Sequence, residues 1–135
     1  MSLPDSDFTR MLGMETTRCE DGTCVIEVEL EARHQSVADR AHGGVLFTML
    51  DTAMGRAVIS RLPAGRGCAT VEAKINFLRP TGHGRIRAEG RALDLTRRTA
   101  YAEGTLTDAE GRVLARSSGT FFLTDTVKQS ERERV

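Results

Sequence analysis

Asp51 sits where an ionised side chain is least expected. Its neighbours Met49, Leu50, Ala53 and Met54 are apolar, and a carboxylate is almost never buried without a partner or a purpose. Upstream of it stands His42-Gly43-Gly44. The residues from Val45 to Leu62 predict one helix, apolar or small over most of its surface, and such a helix is a buried one. The glycine pair opens it and leaves backbone N–H groups that no side chain shields. One stretch therefore offers donors for an anion or a carbonyl oxygen and, further along, a lone carboxylate. Plainer readings exist for each: a mid-helix Asp that pairs with Arg56 or bonds a Thr hydroxyl, and a glycine pair that only starts a helix.

Spacing constrains what these groups can do together. Gly43 and Asp51 are eight residues apart, which along a helix is about 12 Å at about 1.5 Å per residue. No small reaction centre touches both. If both serve one substrate, Asp51 must come from a second copy of the chain, with two such helices antiparallel and the site on the boundary of a symmetric dimer.

The surrounding elements must hold this helix. Asp5 to Gly13 reads as a short helix capped by Ser6 or Asp5, with Phe8, Met11 and Leu12 as its apolar stripe and Gly13 as its stop. Met14 to Glu20 is a first strand, Asp21-Gly22 a turn. From Cys24 to Ala32 the residues alternate, Ile26, Val28 and Leu30 against Glu27, Glu29 and Glu31, as a half-buried antiparallel strand requires. Residues 33–41 form a loop that delivers the chain to the helix, and Pro63 to Gly67 turns it back. Alternating strands follow at Ala69 to Leu78, Gly84 to Leu93 and Thr99 to Thr107. Asp108 to Gly111 makes a hairpin turn before a last strand, Val113 to Leu123. Thr126 to Val135 reads as a frayed, charged tail. One long helix against a meandering antiparallel sheet is an α+β architecture, with the whole of 1–135 as a single domain and 1–13 its N-terminal helical segment.

Composition narrows the partners. With 19 basic and 19 acidic residues the formal net charge is +0, so no basic surface for nucleic acid is expected. Aromatics at 4% and no Trp make base stacking a poor prospect. Asp51 and Arg56 interrupt the most apolar run, so no membrane span is expected. The first residues lack a basic region followed by an apolar core, so no signal peptide is expected either. Cys19, Cys24 and Cys68 lack metal-ligand spacing; Cys19 and Cys24 could face each other across a hairpin, with reduced thiols the expected state. The expectation is a soluble cytoplasmic domain without metal.

His42-Gly43-Gly44, a hydrophobic helix, and Asp51 within Leu50-Asp51-Thr52-Ala53-Met54-Gly55 resemble the central helix of the hotdog-fold thioesterases, the phenylacetate-degradation (PaaI-type) acyl-coenzyme A thioesterases above all. Thr70-Val71-Glu72-Ala73-Lys74-Ile75-Asn76-Phe77-Leu78-Arg79-Pro80 resembles their strand after the helix, and Ala115-Arg116-Ser117-Ser118-Gly119-Thr120-Phe121 their last strand. The resemblance spans roughly 12–124. It implies a hotdog fold, an antiparallel sheet curled around one long central helix, and hydrolysis of an aryl- or medium- to long-chain acyl-coenzyme A. It implies a homodimer or a dimer of dimers, and no cofactor, coenzyme A being part of the substrate.

The resemblance also distributes roles. Asp51 acts as general base on water or as nucleophile, since desolvation strengthens a carboxylate in either role. Gly43 donates its N–H to the thioester oxygen at a helix N-terminus, where a Cβ would obstruct the acyl group. Gly44 lets substrate or a strand come close. His42 holds the loop onto the helix start in preference to acting as a base. Thr70 aligns with a hydroxyl residue that helps hold the attacking water; by simple alternation it shares a face with Glu72, Lys74 and Asn76. Apart from the resemblance, Arg79, Arg97 and Arg98 could meet coenzyme A phosphates, the plainer reading of an exposed arginine being a solvated surface. The loop departs from the family: Ser36 replaces an Asn that helps place substrate or water, Asp39 replaces a Gly, and His34 matches an occasional His. Two other functions compete, a non-catalytic acyl-coenzyme A binding module and a hotdog dehydratase or hydratase. The latter pairs its carboxylate with a His on the same helix, and no His follows Asp51 before His83.

Overall fold

A computed structural model describes residues 5–125 of the 135-residue chain. A short helix α1 (Asp7–Met11) precedes strands β1 (Glu15–Glu20) and β2 (Thr23–Leu30). A 3-10 turn (Ala32–His34) leads to the long helix α2 (Gly43–Ile59), then β3 (Arg66–Phe77), β4 (Gly84–Leu95), β5 (Thr99–Thr107) and β6 (Val113–Asp125). The six strands form one antiparallel sheet in the order β1-β2-β4-β5-β6-β3. Helix α2 crosses one face of it, so the chain passes from the β2 side to the far edge, where β3 lies. This is the hotdog arrangement.

The core shows why the helix settles there. Val45, Leu46, Met49, Leu50, Ala53, Met54, Ala57 and Val58 are buried along one stripe of α2. All but Val45 join one core with Ile26 and Val28 of β2, Ile86 and Ala88 of β4, Ala102 and Leu106 of β5, and Phe121 of β6. Close approach needs small residues on the sheet. A Cβ on Gly90 would lie 2.6 Å from the Met54 backbone nitrogen and inside the Ala53 peptide, so this glycine sets how deeply α2 sits.

Several boundaries differ from those that the sequence suggests. Helix α2 begins at Gly43 because His42 caps it, and it ends at Ile59 with Ser60 as its C-cap. Helix α1 is shorter than expected and is closed by a Ser6/Thr9 capping box. Its expected apolar stripe is not buried: Phe8 and Met11 are exposed, and Thr9 is the residue turned inward. Strand β3 starts at Arg66, three residues early, while β4 and β6 each run two residues further, to Leu95 and Asp125. Paired neighbours extend strands past the point where alternation fades. The expected frayed tail lies outside the described residues.

One irregularity decides a side-chain direction. Thr70 pairs with Phe121 and Glu72 with Thr120, which leaves Val71 as the extra residue of a β-bulge. Ala73 and Ile75, beyond the bulge, pack on the core. Thr70, before it, also faces α2, and therefore does not share the face of Glu72, Lys74 and Asn76. A bulge inverts the alternation that a sequence reading assumes.

Candidate active site

The carboxylate of Asp51 is half-buried in the middle of α2. The Thr70 hydroxyl donates to its Oδ1 at 2.8 Å, an interaction made possible by the bulge. Arg56 is not its partner. That guanidinium donates instead to Thr16 Oγ1 at 2.7 Å and Asp5 Oδ1 at 3.2 Å, so Asp51 has no cation beside it among the described residues. The charge of Asp51 is felt by Cys68 on β3. Burial first, and then this neighbouring carboxylate, push the Cys68 thiol up to about 11.

At the other end of the helix the geometry is set by capping. His42 takes an extended backbone conformation, and its Nδ1 accepts from the Gly44 N–H at 2.8 Å. That satisfies one of the free donors of the first turn. The next donor, Val45 N–H, goes to the His42 carbonyl at 2.9 Å. The Gly43 N–H has no acceptor among the described residues. His42 thus consumes one glycine donor and leaves the other aimed outward. Gly44 has its own reason to lack a side chain, since a Cβ there would come within 2.9 Å of His42 Nδ1.

A groove of about 310 Å³ opens beside Gly43, lined by Leu46, Phe77, Leu78, Pro80 and the arginines Arg40 and Arg79 among others. Alternation marks Phe77 only as a strand residue, yet its ring edge stands 3.2 Å from where a Gly43 Cβ would be. The missing side chain opposite an aromatic at the strand end is the available signal. Arg79 rims the groove and donates to the Val113 carbonyl at 2.6 Å. A larger concavity of about 580 Å³ lies on the opposite face of the sheet, lined by charged residues such as Lys74, Arg87 and Glu89. It includes neither Asp51 nor Gly43.

The remaining residues singled out in the sequence disperse. Ser36 is half-buried in the loop, its N–H donating to the Arg40 carbonyl at 2.7 Å; its hydroxyl has no partner among the described residues. Asp39 carries a φ of 59°, a left-handed conformation that favours Gly and that Asp tolerates better than most residues. His34 is 1% exposed, and both ring nitrogens are engaged by backbone: Nδ1 accepts from the Glu31 N–H at 2.9 Å and Nε2 meets the Leu12 carbonyl at 2.8 Å. It has no atom left for a substrate and serves to pin the loop. Arg97 and Arg98 are exposed in the β4–β5 turn, at the sheet end away from Arg79. A single copy of the chain cannot gather all three arginines on one phosphate group. Thr70 and Asp51 come together, Gly43 and Arg79 come together, and the helix keeps the two groups apart.

The sheet wrapped on its helix is a hotdog fold, with a free glycine donor at the helix start and a carboxylate mid-helix. The sequence pattern of the thioesterase superfamily matches residues 39–115, so the chain belongs to that superfamily. It is 30% identical to phenylacetic acid degradation protein PaaI from Thermus thermophilus, solved as an Asn-to-Asp variant, over 87% of this chain and 98% of that one, with a TM-score of 0.79. A conserved protein from Pseudomonas aeruginosa is 28% identical over 88% of this chain and 94% of its own, at a TM-score of 0.85. A protein from Streptococcus mutans, solved bound to acetyl CoA, is 26% identical over 85% and 91%, at 0.77. Thioester hydrolysis is the reaction class these likenesses support. Among the described residues no helix is long and apolar enough to cross a membrane.

Proposed function

We propose that this protein hydrolyses acyl-coenzyme A thioesters, aryl or medium- to long-chain, at sites completed across a dimer. The observation that carries the reading is Asp51: half-buried, free of any cation among the described residues, and held by the Thr70 hydroxyl at 2.8 Å. A carboxylate oriented in this way accepts a proton from water as the water oxygen attacks the thioester carbonyl carbon. The carbonyl oxygen gains negative charge, and the Gly43 N–H, left unused by the His42 cap, is the donor for it. Collapse of the tetrahedral intermediate breaks the C–S bond, and the departing coenzyme A thiolate takes up a proton. The products are the free acid and coenzyme A.

Two protomers are needed because Asp51 and Gly43 lie on one straight helix, about 12 Å apart. The edge strand β3 supports this assembly. It is 12 residues long, contains no Pro, and exposes Val71 at 64% and Phe77 at 53%. A long unpaired edge strand is a liability that pairing with a second copy removes. The side of α2 carrying Gly44, Phe47, Asp51 and Gly55 is also incompletely covered within one protomer. Arg79 and Arg40 at the groove rim suit the phosphates of coenzyme A, and acetyl CoA is the ligand of the Streptococcus mutans relative.

The test is a panel of aryl- and fatty-acyl-coenzyme A esters with a thiol-reactive reporter. Thiol release is expected, and Asp51→Asn, which keeps shape but removes the base, should lower it by at least about a hundredfold. Tight binding of the esters with no thiol release would replace the enzyme by a binding module. Near-normal turnover in the Asn variant would remove Asp51 from the chemistry.

A further inference from the structure

The β1–β2 hairpin brings two of the three cysteines together. Its turn, Asp21-Gly22, has φ of 50° and 85° at its two central positions, the twisted two-residue turn that hairpins favour. Such a turn is closed by a hydrogen-bonded pair, here Glu20 and Thr23. The next pair along, Cys19 and Cys24, is then a non-hydrogen-bonded one. In that position Cα atoms approach to about 4.5 Å and side chains stand closest, within the range a disulfide spans. The turn is also clamped. The Gly22 N–H donates to Ser60 Oγ at 2.8 Å and its carbonyl accepts from the Ala92 N–H at 2.8 Å.

The two thiols are chemically unequal. Cys24 is 0% exposed in the core under α2, whereas Cys19 is exposed on the edge strand, its thiol donating to the Arg56 carbonyl at 3.5 Å. The facing Cys24 thiol first, with the Arg56 cation behind it, outweighs the burial that opposes them and draws Cys19 down to about 7, while the facing Cys19 and burial hold Cys24 well above the ordinary thiol range. An exposed, acidified thiol beside a buried one is the pairing of an attacking and a resolving cysteine.

We propose that Cys19 and Cys24 form a reversible dithiol–disulfide site that reacts with low-molecular-weight disulfides. The Cys19 thiolate attacks one sulfur of the small disulfide, forming a mixed disulfide and expelling a thiolate. Cys24 then gives up its proton and attacks the Cys19 sulfur, closing the intramolecular bond and expelling the second thiolate. Two protein thiols are oxidised and one small disulfide is reduced to two thiols. The closed loop is only six residues from Cys19 to Cys24, so the bond removes little freedom from the unfolded chain. It is a labile modification and not a structural staple.

The experiment incubates the folded, reduced full-length protein with oxidised glutathione, alkylates it, and maps cysteine peptides by mass spectrometry. The peptide holding Cys19 and Cys24 should become lighter by two hydrogens, with Cys68 still alkylated after denaturation. Dithiothreitol should reverse the change. Cys19→Ser should leave Cys24 unmodified, and Cys24→Ala should accumulate a glutathione adduct at Cys19. Should the core variant fail to fold, the wild-type map still decides. A stable adduct at Cys19 in the wild-type protein, oxidation that begins at Cys68, or no reaction at all would each overturn the proposal.

Discussion

Thr70 is one hydroxyl, yet it separates a lone carboxylate from a positioned one. Thr70→Val keeps the shape and removes the donor to Asp51 Oδ1. A hydrogen bond to a charged group contributes about 1.5–3 kcal/mol, so kcat/KM on the best acyl thioester should fall at least about tenfold, and Thr70→Ser should recover most of it. An unchanged value in the Val variant would leave Asp51 to orient itself. Much at this scale is legible in the sequence, because Asp51 in an apolar run and His42 ahead of two glycines are local signals. The face of Thr70 is not legible. A bulge at Val71 is written in the pairing of β3 with β6, a strand more than forty residues further on, and no window around Thr70 contains it. The engagement of both His34 nitrogens is hidden for the same reason, since one partner, Leu12, is distant in the chain.

Helix α2 and the sheet meet through small residues, and the depth of that contact fixes where Asp51 lies relative to β3. Gly90→Ala would drive a methyl into the Ala53–Met54 peptide region, where backbone cannot yield as a side chain would. Overpacking of this kind costs about 1–3 kcal/mol. The variant should unfold at a lower urea midpoint than the parent with an unchanged slope; an equal midpoint would mean that α2 shifts freely on the sheet. The elements themselves can be read from alternation and turn residues, and every predicted strand is present. Their ends cannot, because pairing carries β3, β4 and β6 past the residues whose polarity alternates. The order of strands is likewise a product of α2 crossing the sheet, a long-range packing choice that local periodicity does not encode.

A single chain leaves its helix partly uncovered along Gly44, Phe47 and Asp51 and its 12-residue edge strand β3 open. The helix spacing that sets Gly43 and Asp51 apart is legible from residue numbers alone, and the structure keeps both on one continuous helix, Gly43–Ile59. Complementation between two damaged chains is a test that only a shared site can pass. Asp51→Asn chains and Gly43→Leu chains should each be inactive alone: one lacks the base, the other blocks the donor and displaces Phe77. Gly43 has an ordinary φ, so leucine there strains no backbone. Co-refolding equal amounts gives heterodimers in about half of all dimers, each with one intact and one doubly damaged site. Activity should therefore return to about a quarter of the wild-type value per chain. If base and donor instead came from the same chain, every site in the mixture would carry one lesion. Heterodimers demonstrated by native mass spectrometry but as inactive as the parents would place base and oxyanion donor within one protomer, and the separation of about 12 Å between them would then exclude one of the two from the chemistry.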